Sequence, residues 1–164
     1  MADVKSGTNP LFLREEELRQ SIELLFFAYR DFTDGPDQIL KDYNFGRAHH
    51  RVIHFVGRNP GITVSELLEI LRITKQSLSR VLNALVERGF VEQKAGVSDR
   101  RQRLLYLTDE GKVLERKISH VQQQQVAKAF REAGGEAVAG YRKVLEGLIN
   151  EADRDKALSR IMKK

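Results

Sequence analysis

Apolar positions recur at helical spacing through both ends of the chain and switch to short alternating runs in the middle. From residue 13 to 33, Leu18, Ile22, Leu25, Tyr29 and Phe32 fall at alternating four- and three-residue steps, a seam of heptad type. Such a seam suits a helix that binds a partner helix, and it also suits an ordinary core helix. Gly35-Pro36 is expected to break it. Phe45 to Arg58 then reads as a second helix, closed by the turn residues Asn59-Pro60-Gly61. From Thr108 a long helix is expected to about Phe130, with Leu114, Ile118, Val121 and Val126 on its apolar side and Ala133-Gly134-Gly135 as its stop. A last helix carries Val138, Tyr141, Leu145, Leu148 and Ile149. A charged tail follows, in which Leu158, Ile161 and Met162 can still pack.

Between these helices, residues 63 to 108 outline two short helices and a hairpin. Thr63-Val64-Ser65-Glu66 fits a capping box, in which the Thr63 hydroxyl and the Glu66 carboxylate satisfy free backbone N–H groups. Val64, Leu67, Leu68 and Leu71 form the inner side of the helix that follows, and Thr74 can cap the next one. There Leu78, Val81, Leu82 and Leu85 keep the i, i+3, i+4, i+7 rule, which sends Gln76, Ser79, Arg80, Asn83 and Glu87 to the outer face. Gly89 can end that helix. Phe90 to Lys94 and Gln102 to Leu107 read as hairpin strands around the tip Gly96-Val97-Ser98-Asp99-Arg100-Arg101. The predicted fold class is mainly α with a small β-hairpin wing: a winged helix-turn-helix at residues 45–111. A flexible leader (1–12) and an N-terminal helix and link (13–44) precede it, and C-terminal helices (112–164) follow.

Charge adds a direction to this outline. Residues 72 to 103 carry eight Lys/Arg against three Asp/Glu, a surplus equal to the formal net charge of +5 for the whole chain. A local surplus favours a docking surface for a polyanion. On the outer face of the second helix, Arg can pair with guanine O6/N7, Gln or Asn with adenine N6/N7, and Ser with several edges in a major groove. Thr74, Lys75 and Ser77 sit at that helix's N-terminus, where free N–H groups and the helix dipole favour phosphate oxygens. At the tip, an Arg can enter a narrow minor groove and an Asp two residues earlier can steady its guanidinium, a spacing that Asp99 and Arg101 have; Arg100 and Arg103 add charge beside them.

These residues resemble the MarR family of bacterial transcription regulators. The likeness rests on the Pro60-Gly61 turn, Val64-Ser65-Glu66-Leu67-Leu68, the run Thr74-Lys75-Gln76-Ser77-Leu78-Ser79-Arg80, the Leu85…Arg88-Gly89 helix end, Asp99-Arg100-Arg101 and Leu107-Thr108…Gly111. Val86 departs from it, since many members carry an acid there. The resemblance implies a homodimer, joined through N- and C-terminal helices, that sets one recognition helix in each half of an inverted repeat of double-stranded DNA. It also implies that Arg101 is the minor-groove arginine with Asp99 as its partner. In many relatives a pocket for small aromatic or anionic effectors lies between the dimer helices and the reader. Here Tyr29, His49, His50 and Arg51 are the candidates to border it. The function expected is that of a repressor; a winged-helix protein-interaction module without specific DNA binding is the alternative.

The remaining chemistry is sparse. With no Cys, the chain has no disulfides or thiolate zinc sites, which sits easily with a cytoplasmic protein. MADVKSGTNP has no apolar signal core and Leu24 to Tyr29 is too short an apolar run for a bilayer, so no membrane association is expected. His50 and His54 have the i, i+4 spacing of metal ligands but no evident third ligand, and packed or capping roles are favoured. No cofactor is expected. There is no glycine-rich phosphate loop, and Ser119-His120 are helix neighbours that point apart, so no enzyme activity is expected.

Overall fold

Helix α1 (Glu15–Lys41) runs straight through the Gly35-Pro36 pair expected to break it, in a computed structural model that describes residues 10–163. A proline inside a helix removes one i→i−4 hydrogen bond, and for Pro36 the carbonyl left over is that of Phe32. A neighbouring helix makes good the loss, because Gln122 Nε2 donates to the Phe32 carbonyl at 3.4 Å. Gly35 serves the same crossing, since a Cβ there would meet Val121 Cγ1 at 2.6 Å. The reversal comes later, at Asn44, which takes the left-handed conformation with φ 55° while the Phe45 N–H returns to the Leu40 carbonyl. Of the leader expected over residues 1–12, residues 1–9 lie outside the described part; Leu11–Leu13 form one 3₁₀ turn.

After α2 (Arg47–Arg58), a two-residue strand β1 (Ile62–Thr63) opens the helix pair α3 (Val64–Leu71) and α4 (Lys75–Glu87). The hairpin strands β2 (Val91–Ala95) and β3 (Arg103–Leu107) follow. All three strands form one antiparallel sheet in the order β1-β3-β2, with Ile62 opposite Leu105 and Val91 opposite Leu107. Sequence pattern alone missed β1, because two residues show no alternation. The core beneath the sheet joins Leu40, Val52, Ile53 and Val56 to Leu67, Leu78, Leu82, Leu85, Val91 and Leu105. Leu114 and Ile118 of α5 (Asp109–Ala133) complete it. The expected inner side of α3 is only partly realised: Leu67 is buried, whereas Val64, Leu68 and Leu71 are half-buried at its margin.

The chain divides into two units, residues 1–122 and 123–164, so the division falls inside α5. In the second unit, α6 (Gly135–Leu148) is followed by α7 (Glu151–Ile161), and the expected charged tail is therefore helical. Arg154 of α7 donates through Nη2 to the carbonyls of Gly147 at 3.2 Å and Ile149 at 3.1 Å, which takes up free acceptors at the end of α6. Phe130 and Tyr141 meet edge to face at 5.6 Å. Among the described residues no helix is long and apolar enough to cross a membrane.

Candidate nucleic-acid interface

The geometry of the α3–α4 pair is set by two caps and one unusual backbone residue. Thr63 and Glu66 close the expected capping box: the Glu66 N–H donates to Thr63 Oγ1 at 3.2 Å, and the Thr63 N–H to Glu66 Oε2 at 2.9 Å. Arg72 then takes the left-handed conformation, φ 51°, which ends α3 without a glycine. Two residues on, Thr74 Oγ1 accepts the Ser77 N–H at 3.1 Å and starts α4. With Leu78, Val81, Leu82 and Leu85 buried, α4 has one rotational setting, and Lys75, Gln76, Ser77, Ser79, Arg80 and Asn83 all stand exposed with Thr74. Over its first nine residues the exposed side chains of α4 are amide, hydroxyl and cationic, with the single carboxylate, Glu87, at its far end; such a face can enter a major groove and exchange water for base edges.

The end of α4 is fastened to the wing by close backbone contacts. Gly89, at φ 80°, turns the chain into β2, and its carbonyl accepts the Thr108 hydroxyl at 2.6 Å. Thr108 Oγ1 in turn accepts the Gly111 N–H at 3.0 Å, capping α5. A Cβ on Gly111 would overlap the Phe90 carbonyl, so only glycine lets α5 start this close to β2. Val86, the position where many members of the family resembled carry an acid, is half-buried against the core, which an acid would not suit without a partner.

At the wing tip, Asp99, Arg100, Arg101 and Arg103 are exposed, and Val97 is 98% exposed beside them. Asp99 Oδ1 accepts the backbone N–H of Arg101 at 3.0 Å, so the aspartate fixes the turn from which the arginine extends rather than gripping its guanidinium. The tip closes with Gly96 N–H to the Gln102 carbonyl at 3.0 Å. A Cβ on Gly96 would come within 2.5 Å of the Asp99 carbonyl oxygen.

The four residues suggested for an effector pocket separate into three environments. Arg51 Nη2 donates to the Tyr29 hydroxyl at 3.0 Å, joining α2 to α1, and Arg47 pairs with Asp37 at 3.1 Å nearby. His50 instead lies in a shallow crevice with Ile53, His54, Glu115, Ile118 and Ser119. His49 stacks on Phe45, 4.7 Å between ring centres, and its Nδ1 accepts the Gly46 N–H at 3.1 Å, a capping role that sequence reasoning did not assign. The signal for it was present: His49 is three residues after the N-cap, where a capping box places its reciprocal side chain.

All three histidines are held below the usual histidine range. For His49 the main cause is burial, followed by the charge of Arg88; for His50 it is burial, then His54; for His54 it is burial, with Glu115 working in the opposite direction. Among the described residues no group of three His, Cys, Asp or Glu side chains is gathered to hold a metal ion.

Comparison with known proteins gives consistent results. The family model described as MarR family matches residues 43–102. The HTH-type transcriptional regulator PetP of Rhodobacter capsulatus is 51% identical over 156 residues, 94% of each chain. Among solved structures, Streptococcus pneumoniae FabT in complex with DNA superposes with a TM-score of 0.71 at 22% identity, covering 80% of this chain and 94% of that one. A crystal structure of MarR gives 0.61 at 26% identity, covering 84% and 98%.

Proposed function

Because this chain belongs to the MarR family, we propose that it is a sequence-specific DNA-binding transcriptional regulator, a repressor acting as a homodimer on inverted-repeat operators. The observation that carries this reading is the exposed, wholly hydrogen-bonding face of α4 beside a wing that exposes three arginines, Arg100 and Arg101 at its tip and Arg103 at the start of β3. In this reading Gln76, Ser79, Arg80 and Asn83 face base edges, Thr74, Lys75 and Ser77 face phosphate, and Arg101 enters the minor groove. FabT, similar in fold, is known in complex with DNA, which supports the same mode of docking.

A dimer is supported by α1, whose seam residues Leu18, Ile22, Leu25 and Tyr29 are 46%, 55%, 52% and 45% exposed. A contiguous apolar stripe of this length is characteristic of an interaction surface. Dimer geometry then sets the separation of the two α4 helices, which must be about 34–36 Å to reach successive major grooves on one face of DNA. A small aromatic or anionic effector that binds better to a dimer with another separation would reduce DNA affinity. DNA would weaken the effector by the same factor.

Selection of bound sequences from random duplex DNA tests the reading in one step. Recovery of an inverted repeat is expected, and recovery of no motif would overturn it.

A further inference from the structure

His49 lies at a joint between the recognition helix and the α1–α2 link. With Nδ1 accepting the Gly46 N–H, the neutral ring carries its proton on Nε2 and satisfies a backbone donor at the start of α2. The same Phe45 ring that stacks on His49 has the Arg88 guanidinium over it, 4.3 Å from its centre. Arg88 closes α4, its own N–H bonded to the Ala84 and Val86 carbonyls, and its Nη1 donates to the Tyr43 carbonyl. Phe90, the residue that opens the wing, packs edge-on against Phe45 at 5.3 Å and against Tyr43 at 5.7 Å. One aromatic cluster thus fastens α2, the end of the recognition helix and the root of the wing.

We propose that His49 is a proton-sensitive positioning residue for DNA reading: the neutral imidazole locks this joint, and the imidazolium releases it. The inference rests on the DNA-binding function proposed above. An imidazolium has no acceptor at Nδ1, so the Gly46 bond is lost on protonation. It also brings a second positive charge to the Phe45 ring, and the charged group that faces His49 there is Arg88, of the same sign. Phe45, Tyr43 and Phe90 offer no carboxylate in compensation. The locked joint is complete above the ordinary histidine range and is lost as pH falls through the lower value His49 has in the fold. If DNA holds the joint locked, each protomer takes up a proton on release. Affinity then falls by up to about tenfold per pH unit for each protomer.

The test is fluorescence anisotropy with the full chain and a duplex selected at about pH 8, titrated to about pH 5 at constant ionic strength. The variants are His49→Gln, whose side-chain oxygen can accept the Gly46 N–H without titrating, and His50→Gln. The wild type and His50→Gln are expected to lose affinity on acidification, whereas His49→Gln keeps it. A pH-independent wild type, or a full slope in His49→Gln, overturns the proposal.

If His49→Gln loses its helical circular dichroism, nitrogen NMR of the wild type decides instead. A lower His49 midpoint with DNA than without supports the proposal, and equal midpoints overturn it. If no duplex is selected at all, the DNA-binding reading fails, and the joint is judged on the free protein. Loss of Gly46 amide protection as His49 titrates supports it, and unchanged protection overturns it.

Discussion

Asn83 and Gln76 carry no packing duty in the fold, and their roles can therefore be tested without disturbing it. Replacing either with Ala is expected to relax base choice at one position per half-site by about 1–3 kcal/mol, read from selected sequences and from binding to single-base variants. Arg101→Ala should weaken binding and change the preference for A·T-rich flanks. Unchanged affinity at physiological salt would remove Arg101 from the minor groove. Asp99→Ala removes the acceptor of the Arg101 N–H and should act in the same direction, more mildly. The faces of α4 were legible because four leucines and valines at i, i+3, i+4, i+7 admit one rotation of the helix. What Asp99 does was only half legible. Spacing put it beside Arg101, but whether its carboxylate meets a side chain or a backbone N–H depends on the local turn, which spacing does not encode.

Elements held by contacts distant in sequence were the hardest to read. Gly35-Pro36 has the composition of a helix break, yet α1 continues because Gln122 supplies a hydrogen bond from 86 positions further along the chain than Pro36. No local pattern announces such a donor. Strand β1 was missed for a related reason: its two residues are extended because β3 pairs with them. Two glycines separate helix packing from helix propensity. Gly35→Ala should destabilise the fold by about 1–3 kcal/mol, since its methyl would press on the stiff, β-branched Val121. Gly140→Ala, in the interior of α6 and with nothing inside 4 Å of a new Cβ, should stabilise by about 0.5–1 kcal/mol. Urea denaturation gives both values, and a neutral Gly35→Ala would argue against the α1–α5 crossing.

For the whole molecule, assembly and acid response are the accessible properties. Ile22→Glu with Leu25→Glu places charge on the exposed seam of α1. The pair should convert a dimer to monomer in sedimentation and lower DNA affinity while helical content is kept. A wild type that sediments as a monomer at micromolar concentration would remove the dimer from the proposed function. Stability should also fall with acid. His49, His50 and His54 are each depressed, chiefly by burial, so their neutral forms favour the fold. That contribution is complete above about 6.5, the ordinary histidine value, and is lost as pH drops through the lower values they have in the fold. Melting temperature measured between about pH 8 and pH 5 should decline, and a rise would contradict the burial of these rings.

On α4 the groups that meet solvent and the groups that meet the core belong to different residues, with Gln76, Ser79, Arg80 and Asn83 wholly on one side and Leu78, Val81, Leu82 and Leu85 wholly on the other. Exposed positions of this kind usually change stability by no more than about 0.5 kcal/mol when substituted. If these exposed residues read base edges as proposed, a lineage can exchange one target sequence for another by single replacements, each intermediate remaining folded. Divergence of regulatory targets after gene duplication would then be limited by selection on the regulated genes rather than by the tolerance of the scaffold.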